Sequence, residues 1–107
     1  MPPVLGAVHG GEIIYVFNNL RLRDIPWTDA DRKVADTVSS YWVNFAKTGD
    51  PNGPGLPQWS AYQSKDEQLM NIAGSPRMEP LPDKAGLDFV SSFQERLRQA
   101  GPAGRTA

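Results

Sequence analysis

Between Thr28 and Gly49, apolar side chains recur at Val34, Val38, Tyr41, Trp42 and Phe45, which fall along one face of an α-helix. The ends of this stretch are written as clearly as its stripe. Thr28, with Asp31 three residues on, reads as a capping box in its Asp form. Asp29 and Asp31 both stand where the helix dipole favours negative charge. Lys47 lies in the last turn, Gly49 can take the left-handed position that closes a helix, and Pro51 stops propagation. The pattern predicts a helix over 29–48. A second stripe, Leu87, Val90, Phe93 and Leu97, predicts another over 84–99 with Asp83 as its N-cap. Gly86 weakens the first turn of that helix by about 1 kcal/mol relative to Ala.

The remaining segments are less regular. Residues 4–17 form the most apolar stretch, broken by Gly6 and by Gly10-Gly11. Its second half, residues 12–17, suits a helical turn by spacing and a strand by its β-branched and aromatic content. The helical turn is adopted, with Asn18-Asn19 as its stop. Residues 50–57 are dense in Pro and Gly and carry an Asn52-Gly53 turn signal. Residues 59–62 and 68–72 are expected to pair as a small β-hairpin across the polar 63–67. Residues 78–82 read as a Pro-rich connection, and 101–107 as a flexible tail. The isolated chain is thus expected to be mostly helical, with a hairpin near 59–72 and long loops. Trp27, Tyr41, Trp42, Phe45, Trp59, Tyr62 and Phe93 have no visible sheet to pack against. A missing neighbour is the simplest inference.

Composition sharpens this picture. Leu, Ile, Val and Phe make up just over a fifth of the 107 residues, close to the level below which chains stay disordered, while ten are Gly and ten Pro. Eleven basic against twelve acidic residues give a net charge of −1, which removes the electrostatic case for nucleic-acid binding. The absence of Cys excludes disulfides and thiolate chemistry, and one His is too few for a His-rich metal site. No glycine pattern matches a phosphate-binding loop, so neither a metal nor a cofactor is expected. No apolar run approaches the ~18 residues of a membrane span. Met1-Pro2-Pro3 has no signal-peptide character, and the compartment is left unassigned.

Nucleophilic catalysis has no visible nucleophile. None of the serines lies in Gly-x-Ser-x-Gly, and Ser39, Ser40, Ser91 and Ser92 fall inside the predicted helices. His9 stands out only by its surroundings, a glycine-flanked loop entering an apolar element, where an imidazole could serve as a base. Taken alone, a His beside glycines is ordinarily a loop residue.

Three blocks change that weighting. Residues 6–17, Gly-Ala-Val-His-Gly-Gly-Glu-Ile-Ile-Tyr-Val-Phe, resemble the catalytic-histidine motif of the type-B carboxylesterases, the cholinesterase-like branch of the α/β-hydrolases. Residues 41–53, Tyr-Trp-Val-Asn-Phe-Ala-Lys-Thr-Gly-Asp-Pro-Asn-Gly, resemble the family's helix-and-loop signature. Trp59-Ser-Ala-Tyr62 followed by Gln68-Leu-Met-Asn-Ile72 resembles the segment after it. The resemblance implies that residues 1–100 are the C-terminal part of an α/β-hydrolase domain, truncated at Met1, whose parent hydrolyses carboxylic esters. It implies that His9 is the triad histidine and that Glu12 supports its loop rather than serving as the triad acid. In this fold the triad runs Ser…Asp/Glu…His, so nucleophile, acid and oxyanion hole would lie in the missing N-terminal part. The chain alone is then expected to be inactive. Val4-Leu5 are plain aliphatics where cholinesterases proper carry larger side chains, which points to a broad esterase. Trp42, Phe45, Trp59 and Tyr62 match family core positions. The rival expectation is a non-catalytic, cholinesterase-like module that binds a protein partner through its aromatic faces.

Overall fold

The computed structural model describes residues 8–101. Residues 4–7 of the first apolar stretch, and all of the expected tail except Gly101, lie outside the described residues. The described residues form helices α1 (Ile13–Val16), α2 (Asp29–Thr48) and α3 (Lys84–Gln99). An antiparallel pair, β1 (Gln68–Asn71) and β2 (Arg77–Pro80), falls between α2 and α3.

Helix α2 forms as its sequence dictates. The Thr28 hydroxyl accepts from the Asp31 amide at 3.2 Å, and the Asp31 carboxylate accepts from the Thr28 amide at 2.9 Å. Two of the amides left unpaired at a helix start are satisfied in this way. At the other end Gly49 adopts φ 80° and donates to the Phe45 carbonyl, a conformation that costs glycine nothing. Ala35, Val38 and Tyr41 are buried, but Trp42 and Phe45, on the same predicted stripe, are 45% and 60% exposed. The covering elements explain the split. Helix α1 packs on α2, and a 3-10 turn at Leu20–Leu22 buries Leu20. Trp27 clamps this layer by donating its indole N–H to the carbonyls of Leu20 (2.7 Å) and Arg23 (3.2 Å). Its ring meets Tyr15 edge-on with centroids 6.0 Å apart.

Past Gly49 the chain is stitched back onto α2. Asn44 donates to the Pro51 carbonyl at 3.1 Å, and the buried Tyr41 donates its hydroxyl to the Pro57 carbonyl. The Asn52 side chain accepts from the Trp59 amide and donates to the Trp59 carbonyl. These bonds set Trp59 edge-on against Tyr41, with centroids 5.2 Å apart.

The hairpin differs from the sequence expectation. Residues 59–62 carry no ladder, because the Trp59 backbone groups are taken by Asn52. The strand at 68–71 pairs instead with 77–80, Met70 opposite Met78 and Gln68 opposite Pro80. Residues 78–82, expected as a connection, therefore supply most of β2. In a two-stranded sheet both strands are edges, and Pro80 at the strand end needs no amide bond.

Helix α3 occupies the expected residues, yet Asp83 does not cap it with its side chain. Asp83 sits at φ 52°, and its carboxylate lies over Gly86, where a Cβ would come within 2.8 Å of it. Lys84 ties the helix start to its surroundings, 2.8 Å from Glu67 and 2.8 Å from Asp88. These two carboxylates, Asp88 foremost, hold the Lys84 ammonium well above its ordinary range. No residue of α3 is buried, and Leu87, Val90, Phe93 and Leu97 are all exposed. The radius of gyration is 18.4 Å, against about 13 Å for a compact chain of this length. Among the described residues no helix is long and apolar enough to cross a membrane.

Candidate active-site turn

His9 is exposed at the second position of a tight turn closed by the Gly11 amide on the Val8 carbonyl at 3.0 Å. Gly10 follows at φ 74°, the left-handed value that the third residue of a type II turn requires. Gly11 cannot be enlarged freely, since a Cβ there would lie 3.1 Å from the Val8 carbonyl oxygen. Each glycine beside His9 therefore has its own steric reason.

The turn runs straight into α1. The Ile13 amide bonds the Gly10 carbonyl at 3.2 Å, and the Glu12 carbonyl accepts from the Tyr15 and Val16 amides at 3.0 Å each. Glu12 is the residue at the α1 start, with φ −80° and ψ −18°. Its side chain is exposed, and no hydrogen bond or ion pair among the described residues joins it to His9. Helix α1 is too short to hold itself, and its contacts with α2 supply the rigidity. Asn18 adds a bond to the Asp36 carboxylate at 2.8 Å. The His9 turn thus hangs from α1, and α1 from α2.

Beside the turn lies an open cavity of about 670 Å³, whose lining includes Val8, Glu12, Tyr15, Asp31, Val38 and Trp42. Burial, and then the Asp31 carboxylate, push the Tyr15 hydroxyl above its ordinary pKa, so it remains a neutral donor. The Thr28 amide, followed by the Thr28 hydroxyl, holds the Asp31 carboxyl below its ordinary range. A larger cleft of about 780 Å³ lies further along α2, between Trp42, Phe45, Asn52, Trp59 and Tyr62, and His9 lines neither cavity.

What the described residues can do chemically is narrow. They present one exposed imidazole on a braced turn, with no serine hydroxyl hydrogen-bonded to it among the described residues. Ser40 instead donates back to the Asp36 carbonyl within α2 at 2.8 Å. No group of three or more His, Cys, Asp or Glu capable of holding a metal occurs among the described residues. The sequence reading missed Tyr15, Asn18 and Trp27 as the residues that fix the turn. Only Trp27, a large aromatic whose indole N–H needs an acceptor when covered, could have signalled one of them.

Solved structures resemble the fold of this chain. PNB esterase superposes with a TM-score of 0.68 at 30% identity, over 82% of this chain and 18% of its own. A crystal structure of the Geobacillus stearothermophilus carboxylesterase EST55 at pH 6.2 gives a TM-score of 0.63 at 31% identity, over 77% and 18%. The architecture is that of a segment of an α/β-hydrolase. At the sequence level, the Carboxylesterase family profile matches residues 1–90. Liver carboxylesterase 1 of Oryctolagus cuniculus is 41% identical over 83 residues, 78% of this chain and 14% of that protein. Carboxylesterase 1D of Mus musculus is 37% identical over 104 residues, 97% and 17%. The chain belongs to the carboxylesterase family, and it spans less than a fifth of the length of these relatives.

Proposed function

We propose that this chain is the C-terminal part of a serine carboxylic ester hydrolase, contributed by residues 1–100, and that His9 is its general base. The observation that carries the reading is the His9 turn. The chain's one imidazole stands exposed, on glycines that its backbone geometry demands, at the end of a brace running through α1 to α2. A triad base needs this combination, since it must be positioned firmly and reach a group from another part of the fold.

In that chemistry the imidazole takes the serine proton as the serine oxygen bonds to the ester carbonyl carbon. It returns the proton to the leaving alcohol as the ester C–O bond breaks. Water, deprotonated by the same imidazole, then attacks the acyl-serine, and the proton goes back to the serine oxygen. Nucleophile, acid partner and oxyanion donors come from the N-terminal part of the hydrolase, so the chain alone has no esterase activity. Glu12 acts through the turn, by starting α1, and touches no reacting atom. No cofactor is required.

The test is a chimera in which this chain replaces the matched 18% of PNB esterase. It is expected to hydrolyse an activated ester. His9→Ala should lower turnover by more than tenfold while KM changes by no more than a few fold, and Glu12→Gln should cost less. A His9→Ala chimera that keeps more than a tenth of the parent turnover would overturn the assignment. A folded chimera with no activity would favour the protein-binding module instead.

A further inference from the structure

We propose that Asn52-Gly53 is a site of spontaneous covalent modification, at which the Asn52 amide is lost through a cyclic imide, and that the hold of Asn52 on Trp59 sets its rate. Nothing in this chemistry depends on the esterase reading. The Gly53 backbone nitrogen bonds to the Asn52 side-chain carbon Cγ and passes its proton, through water, to Nδ2. The Cγ–Nδ2 bond breaks and ammonia leaves. Water then opens the ring at one of its two carbonyls. One opening restores the main chain with an aspartate; the other routes the main chain through the side chain as isoaspartate. Only water is consumed and only ammonia released. The step needs a following amide that no side chain shields, and Asn52 is the only one of the five asparagines that precedes glycine. Asn18, Asn19, Asn44 and Asn71 precede Asn, Leu, Phe and Ile, and Asn44 and Asn71 also lie within α2 and β1.

The turn has no room for a less reactive neighbour. A Cβ at Gly53 would come within 2.7 Å of Asn44 Nδ2, and Asn44 is held by its bond to the Pro51 carbonyl at 3.1 Å. The labile pair is therefore built into the loop that returns the chain to α2. Its restraint is the placement of the carboxamide. Asn52 Oδ1 accepts from the Trp59 amide at 2.6 Å, while Nδ2 donates to the Trp59 carbonyl at 2.9 Å and to the Asp50 carboxylate at 3.0 Å. Attack turns Cγ from planar to tetrahedral and moves both carboxamide atoms, so the two part-buried bonds to Trp59 must open first. Together they hold the reactive conformer to roughly one part in 30. Conversion then undoes the clamp that slowed it. An acid at this position still accepts from the Trp59 amide, but it has nothing to donate to the Trp59 carbonyl. It also sets a second carboxylate against Asp50, where Nδ2 donates in the intact chain. Trp59 loses the bonds that set it edge-on against Tyr41, and because ammonia has left, the loop does not return.

The test incubates the 107-residue chain in mildly alkaline buffer beside a peptide of residues 48–65, with tryptic mass mapping of the amide-to-acid exchange. Cleavage after Lys47 and Lys65 separates Asn52 from the other four asparagines. Asn52 is expected to convert before those four, yet about 30-fold more slowly than in the peptide. Tyr41→Phe removes the loop's bond at the Pro57 carbonyl and leaves Asn52-Gly53 intact, and should speed conversion about fivefold. The converted chain and Asn52→Asp should both lose hydrogen-exchange protection at the Trp59 amide by at least about fivefold. Equal rates in chain and peptide would overturn the proposal, as would earlier conversion of another asparagine. So would a Tyr41→Phe chain that converts like wild type, or Trp59 protection unchanged after conversion. An Asn52 that stays intact for roughly 100 peptide half-lives, well past the expected delay, would do the same.

Discussion

Asn52→Ala is the perturbation that most directly probes how the cleft is built. The Asn52 side chain accepts from the Trp59 amide at 2.6 Å and donates to the Trp59 carbonyl at 2.9 Å and to the Asp50 carboxylate at 3.0 Å. The first two are part-buried and are worth about 1 kcal/mol each; the third is exposed and adds little. Truncation should therefore cost about 2 kcal/mol locally, or roughly a 30-fold loss of hydrogen-exchange protection at the Trp59 amide. A second readout is independent of that magnitude. The Asn52 amide, and then its side chain, hold the Asp50 carboxyl below the ordinary range. The alanine variant keeps the backbone donor and loses the other, so the Asp50 pKa should rise part of the way toward about 3.9, seen by carboxyl NMR titration. Tyr41→Phe, which removes only the bond to Pro57, should lower protection about fivefold. Because both side chains hold one loop, the double variant should lose less than the sum. A fall of less than threefold at Trp59 in Asn52→Ala, or an unchanged Asp50, would refute this account of the loop.

Three further outcomes are expected. The depressed Asp31 carboxyl stabilises the start of α2 above about pH 3.9, and that contribution is lost as pH falls through its lower folded value; far-UV circular dichroism should show helix loss below pH 4 that Asp31→Asn reduces. Gly10→Ala should cost about 1–2 kcal/mol through its φ of 74° alone, since the new Cβ would meet only Ile13 at 3.6 Å; exchange at the Gly11 amide reports it, and unchanged protection would remove the steric reason for that glycine. The isolated chain should bind an apolar dye and show no cooperative melt above about 55 °C, and a sharp monomeric transition there would contradict the missing-neighbour reading.

The legible parts of this fold are those whose stabilisation is local. Helix α2 appears with the predicted ends because Thr28, Asp31 and Gly49 act within one turn of themselves. Helix α3 appears over the expected residues for the same reason, since Leu87, Val90, Phe93 and Leu97 repeat at helical spacing whether or not anything covers them. What failed depended on loop hydrogen bonds and backbone conformations that have no periodic signature in the sequence. The hairpin was placed too early because the sequence does not say that Asn52 occupies the Trp59 backbone. Pro80 also hid a strand that only its edge position allows. Asp83 was read as a cap from its residue type, but the left-handed backbone it adopts turns its carboxylate over Gly86 instead. His9 is a candidate base only through resemblance, because nothing about one imidazole between small residues distinguishes a base from a loop residue.

On the proposed reading, the distribution of order in the chain has a functional logic. The base needs to be held to within a fraction of an ångström, and a four-residue helix cannot do this by itself. The support comes from the Tyr15–Trp27 contact, the Trp27 indole bonds and the Asn18–Asp36 bond, all of which end on or beside α2. The exposed aromatic cleft lies on that same helix, one to three turns further along. Whatever covers Trp42 and Phe45 therefore fixes the helix from which the His9 turn is hung. Packing of the missing hydrolase and placement of the base are then one event, because they load the same twenty-residue rod from its two ends. On that reading the site is complete only with the rest of the domain in place, and α2 is the element through which packing at Trp42 and Phe45 reaches the imidazole.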